Sequence, residues 1–114
     1  HPAVSKVFYP GLHGARGGHL IGIQMSGPGS LMAFEVKGGH DAAARVMARA
    51  KVMTAAVSLG PTASLIQHPA GLTHRIVPED ARPAAAITPG LLRLSVGIEH
   101  VEDLWDDLAQ ALEG

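Results

Sequence analysis

Cysteine is absent from this 114-residue sequence, and its absence removes several kinds of site at once. Without thiols the chain cannot form a disulfide framework, a cysteine nucleophile or a cysteine-based zinc site. A protein without disulfides is typical of a reducing compartment, and we expect a cytoplasmic location.

Charge of either sign is also scarce. The chain has 9 Lys and Arg against 10 Asp and Glu, which gives a formal net charge of -1. Because a nearly neutral chain offers no basic field to phosphate backbones or anionic lipid, we expect neither a nucleic-acid partner nor a membrane partner. The apolar runs are also far shorter than the roughly 20 residues that a membrane span needs.

Hydrophobic residues, in contrast, make up 46% of the chain. A sequence of this length and composition can bury a core and fold as a single domain. It is apolar for so small a domain, which indicates that part of its surface packs against something else. The sequence begins His1-Pro2 rather than with methionine, and we expect that a preceding segment is missing.

Glycine and proline divide the chain into short elements. Apolar patterning predicts strands at residues 4–9, 31–36, 54–59, 64–67 and 91–96, and one or two helical turns within 19–25. A proline-rich loop is predicted over 68–89, with a short helical turn at 78–82. Since most strands are joined too briefly for parallel crossovers, the expected fold class is α+β, a mainly antiparallel sheet with helices packed on one face.

Helical spacing of apolar residues predicts the two helices. The first covers about 42–51, with His40 and Asp41 positioned to cap it. The second covers 99–113, with Glu99 in its first turn, where the helix dipole favours negative charge. One stripe of this second helix carries the apolar residues Val101, Leu104, Trp105, Leu108 and Leu112.

Familiar catalytic and metal-binding patterns are missing. The seven histidines lack the spacing of a zinc site, the glycine clusters match no phosphate-binding loop, and no serine lies in a nucleophile elbow. We therefore expect no metal site and no catalytic residue in this chain. His68 and His74 are predicted to make structural hydrogen bonds within the loop.

Several short segments carry a resemblance to a known family. They are residues 8–12 (FYPGL), 24–26 (QMS), 34–39 (FEVKGG), 58–60 (SLG), 64–74 (SLIQHPAGLTH), 91–99 (LLRLSVGIE) and 101–104 (VEDL). In order and approximate spacing, the chain resembles the carboxyl-terminal part of the Cys/Met metabolism family of pyridoxal-phosphate enzymes. This family includes methionine gamma-lyases, cystathionine gamma-lyases and gamma-synthases, and homoserine sulfhydrylases.

The resemblance implies a substrate-binding role for Arg93, as the arginine that holds the α-carboxylate of an amino acid. A guanidinium suits that role, because its planar fork can grip a carboxylate through two hydrogen bonds. The residues alone also permit an ordinary salt-bridged arginine at a strand end. An arginine between Leu92 and Leu94 in an apolar strand would, however, be costly to leave unpaired.

The resemblance implies four further substrate-binding residues. Ser58 and Leu59 correspond to a turn that faces the substrate, although a plain strand-end turn is the alternative, and Thr73 corresponds to a threonine near the substrate side chain. Val57 stands where some cystathionine-processing members have an acidic residue, so an apolar Val57 looks like methionine gamma-lyase. The residues 61–63 (PTA) depart from the family pattern and leave the local turn geometry open.

In the family, a lysine of the preceding large domain holds pyridoxal phosphate, and no matching lysine segment is present. The resemblance therefore implies that residues 1–114 are the small C-terminal domain of a larger enzyme, without its N-terminal cofactor-binding domain. We expect pyridoxal phosphate in the full-length parent but not on this chain, which should be inactive alone. The parent is expected to be a homotetramer acting on a small sulfur amino acid.

Three functions remain open for the sequence. The first is a fragment of a methionine gamma-lyase-like enzyme, which cleaves a C–S bond by γ-elimination. The second is a fragment of a cystathionine gamma-synthase or homoserine sulfhydrylase, which carries out γ-replacement. The third, from another class, is a stand-alone interaction module whose proline-rich loop binds a partner.

Overall fold

Five strands and two helices follow one another in the order that the apolar pattern predicts. The computed structural model describes residues 1–72, 77–78, 80–81 and 87–114. The elements are β1 (Val4–Phe8), a 3-10 helix (Gly18–Leu20), β2 (Leu31–Val36), α1 (Gly39–Arg49), β3 (Thr54–Ala55), β4 (Leu65–Gln67), β5 (Leu91–Ser95) and α2 (Val101–Leu112). The 3-10 helix is the helical part of the predicted 19–25 segment.

The strands form a single sheet in the order β1-β2-β5-β4-β3. Three of its four pairings are antiparallel, but β3 pairs with β4 in parallel, so the sheet is mixed. The expectation of an antiparallel sheet was therefore correct only for most of it. Residues 56–64 carry the chain back along the sheet edge, and the two-residue β3 consequently runs in the same direction as β4.

The two faces of the sheet differ in what covers them. The residue register places Phe34 opposite Leu92 and Met32 opposite Leu94, and these side chains share a core with both helices. Since side chains alternate along a strand, Arg93 and its neighbours in register point to the other face. The prediction that helices pack on one face is confirmed, and Arg93 lies on the face that α1 and α2 leave uncovered.

Helix α1 begins earlier than predicted and without the predicted cap. Its N-cap is Gly38, which makes no side-chain hydrogen bond, so His40 and Asp41 lie inside the first turn. Gly38 and Gly39 both have positive φ, 97° and 66°, and this left-handed pair turns the chain sharply from β2 into the helix. Two glycines, rather than a polar side chain, therefore set the start of α1.

Helix α2 starts at Val101, and its buried face differs from the predicted stripe. His100 is the N-cap, with Nδ1 accepting a hydrogen bond from the amide of Glu102, so Glu99 precedes the helix. The buried side chains of α2 are Leu104, Asp107 and Ala111. Trp105, in contrast, is 60% exposed, and Val101 is 69% exposed. Both nevertheless border the same apolar groove as Leu104 and Leu108, as their common stripe predicts.

Every strand except β2 is shorter than predicted. Strand β3 covers only Thr54–Ala55 of the predicted 54–59, since the chain leaves the sheet after the amide of Ala56 bonds to Ile66. Within the predicted helical turn at 78–82, the amide of Ala81 donates to the carbonyl of Pro78, while residues 79 and 82 lie outside the described residues. Among the helices in the described ranges, none has the length and apolar character of a membrane span.

Candidate functional site

Arg93 is held against the loop that follows β3. Its Nη2 donates to the carbonyl oxygen of Ser58 at 2.8 Å and to that of Val57 at 3.2 Å. Strand β5 supplies the arginine, and the loop, residues 57–60, supplies both carbonyls from about 35 positions earlier in the chain. Three of the five residues expected to bind substrate are thus brought together.

The guanidinium of Arg93 keeps unused hydrogen-bonding capacity. Its Nε is buried and has no hydrogen-bond partner within the described part of the chain. A buried N–H on a permanently charged group is costly unless an acceptor satisfies it, and a carboxylate is the acceptor whose geometry fits a guanidinium best. The carbonyls of residues 57 and 58 are neutral, and within the described ranges no carboxylate forms an ion pair with Arg93. This arrangement can bind an anion.

The loop 57–60 also exposes apolar side chains. Val57 is 58% exposed and Leu59 is 53% exposed. Both side chains therefore offer apolar surface on the loop whose backbone carbonyls accept hydrogen bonds from the guanidinium of Arg93. Thr73, the remaining residue expected to bind substrate, lies outside the described residues, as does His74.

Ser95 forms a second attachment between β5 and the loop. Its hydroxyl Oγ accepts a hydrogen bond from the amide of Gly60 at 2.8 Å, and Ser95 itself is only 1% exposed. Ser95 follows Arg93 by two residues, so both side chains project from the same face of the strand. The sequence reasoning missed Ser95 as a site residue, although this i, i+2 spacing beside Arg93 was a signal that could have found it.

A carboxylate completes the attachment further along the loop. Glu99 accepts hydrogen bonds from the amide of Ser64 at 2.6 Å and from its hydroxyl at 2.7 Å. The same hydroxyl accepts from the amide of Gly97 at 2.8 Å. The amide of Ser64 first, and then its hydroxyl, hold the pKa of Glu99 below its ordinary value, so the carboxylate is ionised at neutral pH.

His68 has a structural role, as predicted. Its Nε2 lies 2.7 Å from the carbonyl oxygen of Pro89, and its ring meets that of His40 edge-on with centroids 4.8 Å apart. Burial lowers the pKa of His68, and the neighbouring His40 adds to this effect against the opposing hydrogen bond to Pro89. A neutral imidazole therefore joins β4 to the start of β5.

The three lysines of the chain lie outside the loop 57–60. Of the three lysines, Lys37 donates to the carbonyl of Pro2, the Nζ of Lys6 lies 4.7 Å from the centre of the Phe8 ring, and Lys51 lies beyond the end of α1. None of them hydrogen-bonds to Arg93 or to the loop 57–60 in the ranges described. Nor does any group of three or more histidine, aspartate or glutamate side chains in those ranges form a metal site.

Fold and site together define an α+β domain in which Arg93 lies on the sheet face opposite to α1 and α2 and holds the loop 57–60. A family model described as Cys/Met metabolism PLP-dependent enzyme matches residues 1–113. The chain therefore belongs to the Cys/Met metabolism family of pyridoxal-phosphate-dependent enzymes.

Characterised relatives agree with this assignment. The chain is 51% identical over 113 residues to L-methionine gamma-lyase of Brevibacterium sandarakinum, and 40% identical over 113 residues to a cystathionine beta-lyase of Bacillus subtilis. Each match covers 99% of this chain, but only 28% and 29% of the respective relative. The chain thus spans less than a third of the length of these relatives.

Solved structures show that the fold is shared as well. The cystathionine gamma-lyase of Micromonospora echinospora matches with a TM-score of 0.93 and 42% identity, over 100% of this chain and 30% of that one. The cystathionine gamma-synthase of Xanthomonas oryzae, in complex with aminoacrylate and cysteine, matches with a TM-score of 0.90 and 44% identity, over 99% of this chain and 29% of that one.

Proposed function

We propose that this chain is the small, C-terminal substrate-binding domain of a methionine gamma-lyase-like enzyme, and that it is inactive alone. The observation that carries the proposal is the guanidinium of Arg93. It is held by neutral carbonyls, and among the described residues it has no carboxylate partner and its buried Nε has no hydrogen-bond partner. In the full-length protein, pyridoxal phosphate would supply the electron sink for C–S bond cleavage, and an N-terminal domain would hold it.

The role proposed for Arg93 is to bind and orient the α-carboxylate of a sulfur amino acid. Fixing the carboxylate end of a substrate places the rest of the molecule at a defined distance from the reacting groups, which contributes to the rate through proximity. Ser58, Leu59 and Thr73 are proposed to line the same site. All of these residues position substrate, and we assign no catalytic residue to the chain.

Val57 is proposed to favour an apolar substrate side chain. Its exposed isopropyl group lies beside the carbonyl that Arg93 binds, at a point where an acidic residue would attract a distal amine. This favours a methionine-like substrate and γ-elimination. A cystathionine gamma-synthase or sulfhydrylase remains the second candidate, since the X. oryzae gamma-synthase shares the fold at 44% identity.

The experiment that tests the proposal is steady-state kinetics of the full-length enzyme with methionine. We expect Arg93→Ala to raise KM by about ten- to a hundredfold, because a charge-assisted pair of hydrogen bonds is lost. Arg93→Lys should recover only part of the affinity, since an ammonium cannot form the two-pronged contact. The exposed Arg45 on α1 provides the control, and Arg45→Ala should leave KM unchanged. An unchanged KM and kcat in Arg93→Ala would contradict the assignment.

A second measurement addresses the chain by itself. Adding pyridoxal phosphate to the 114-residue chain should neither shift the visible absorption of the cofactor nor produce methionine cleavage. The full-length protein is proposed to be about as long as its relatives and to be a cytoplasmic homotetramer. Its reading frame should therefore extend well beyond the codons of this chain. A complete reading frame of 114 codons would favour the stand-alone interaction module instead.

A further inference from the structure

The loop 57–60 is attached to β5 by two independent side chains. Arg93 holds the carbonyls of Val57 and Ser58, and Ser95 holds the amide of Gly60. Residues 57–63 are exposed and belong to no strand, and the one further backbone bond given for them in the described ranges is from the amide of Ile98 to the carbonyl of Thr62. The position of the loop therefore depends on a small number of hydrogen bonds.

Arg93 has two tasks if it holds the loop and also binds an anion. A shift of its side chain toward a carboxylate would lengthen the Nη2 bonds to the two carbonyls. The hydroxyl of Ser95 has no such second task, since it is 1% exposed and faces the Gly60 amide. It can hold the loop whether the anion is present or not.

The backbone of Gly60 is adapted to this contact. Its φ of 82° lies in the left-handed region, where a residue with a side chain would be strained. The loop thus turns at Gly60 so that its N–H meets the hydroxyl of Ser95.

We propose that Ser95 is a positioning residue for the substrate-binding arginine: its hydroxyl holds the loop 57–60 so that the guanidinium of Arg93 is fixed before substrate arrives. This inference rests on the proposed function. It assigns Ser95 no contact with the substrate, because the effect passes through Gly60, the two carbonyls and the guanidinium. Pre-organisation of this kind raises affinity by reducing the ordering that binding requires.

The test compares Ser95→Cys with Ser95→Thr in the full-length enzyme. Cysteine matches serine more closely in size but is a weak acceptor, whereas threonine keeps the hydroxyl and adds a methyl group. If the hydrogen bond matters, Ser95→Cys raises the KM for methionine by about fivefold, with kcat changed by less than about twofold. Ser95→Thr then stays nearer to the wild type. If only packing matters, the order of the two variants reverses, and the proposal is overturned.

Amide hydrogen exchange provides a readout that does not depend on turnover. In Ser95→Cys, the peptide containing Gly60 should exchange faster, while peptides from α1 keep their protection. Equal exchange at Gly60 in variant and wild type would overturn the proposal, and so would faster exchange throughout the domain, which would indicate a general folding role. Ser5→Ala is the matched control, because the exposed Ser5 on β1 also makes one hydrogen bond, to the carbonyl of Glu35.

The same experiments separate this inference from the proposed function. If the wild type does not cleave methionine, or if Arg93→Ala leaves KM unchanged, the proposed function fails, and exchange at Gly60 still decides whether Ser95 holds the loop. If Arg93→Ala raises KM but Ser95→Cys does not, only the inference about Ser95 fails.

Discussion

Asp107 is the most highly connected carboxylate in the described part of the chain. It is 5% exposed and accepts hydrogen bonds from the amides of Lys51, Val52 and Met53, at 2.8, 2.8 and 3.0 Å. These amides follow the end of α1, so one side chain on α2 fixes the path from α1 into β3. Burial alone would raise the pKa of Asp107, but the amides and the side chain of Gln110 outweigh it and lower this pKa.

We expect Asp107→Ala to destabilise the protein by about 2–3 kcal/mol, because three amides lose their acceptor and Met53 is buried. Chemical denaturation measures the change. The neighbouring Asp106 is exposed, and Asp106→Ala should change the free energy of unfolding by less than about 0.5 kcal/mol. Equal effects of the two substitutions would contradict the role assigned to Asp107.

The same substitution should also alter the pH dependence of stability. Since folding lowers the pKa of Asp107, its contribution is complete above the ordinary value of 3.8 and is lost as the pH falls through the lowered folded-state value. The free energy of unfolding of Asp107→Ala should therefore decline less steeply with acid than that of the wild type. Parallel curves below pH 4 would refute this expectation.

At the scale of elements, the turn after β5 packs so closely against the loop before β4 that Gly97 has no room for a side chain. A Cβ built on Gly97 would overlap the carbonyl oxygen of Thr62, and the amide of Ile98 donates to that same oxygen at 2.9 Å. The two segments are therefore joined by backbone as well as by the Ser64–Glu99 contact. Only glycine at position 97 allows the two backbones to come this close.

Gly97→Ala should push the loop 57–63 away from β5, because a Cβ there would overlap backbone atoms of Thr62 and Ala63 as well as the carboxylate of Glu99. We expect the full-length enzyme to lose substrate affinity and the unfolding midpoint to fall. Gly27→Ala is the control, since a Cβ there meets no atom within 4 Å and its φ is not positive. A Gly97→Ala variant with wild-type KM and stability would show that the loop is not held this closely.

For the whole molecule, the main exposed apolar surface that we consider surrounds Trp105. Two adjacent apolar grooves border this ring, one toward the strands β4 and β5 and the other toward β1 and β2. Met32 and Leu108 line both grooves, so the surface is continuous beneath the indole. A small domain rarely leaves such a surface uncovered, which agrees with a chain that spans 28% of its relatives' length.

We expect the isolated chain to self-associate through this surface. Sedimentation velocity should show an average mass that rises with protein concentration, and Trp105→Gln should reduce the rise by removing the largest exposed ring. Ile23→Gln is the control, because Ile23 is 79% exposed but does not line either groove. A monomer at all concentrations would contradict this expectation.

Local sequence patterns were sufficient to predict the family, the order of the helices and strands, and most strand bounds to within one residue. The family resemblance, the order of elements and the choice of Arg93 followed from the sequence, because short motifs and the spacing of apolar residues are local properties. The bounds of β2 agree with the prediction, and those of β1, β4 and β5 differ from it by one residue. The prediction was least accurate at element ends, where Gly38 replaced a polar cap and Glu99 left the helix to bind Ser64.

Only the tertiary structure decided which groups meet. The carbonyls that hold Arg93 lie 35 and 36 positions away in sequence, and the amides that Asp107 binds lie 54 to 56 positions away. No local pattern encodes such a pairing, because it depends on how α2 and the loops pack across the sheet. The parallel direction of β3 and the pairing of Ser95 with Gly60 were missed for that reason, since both arise from long-range contacts.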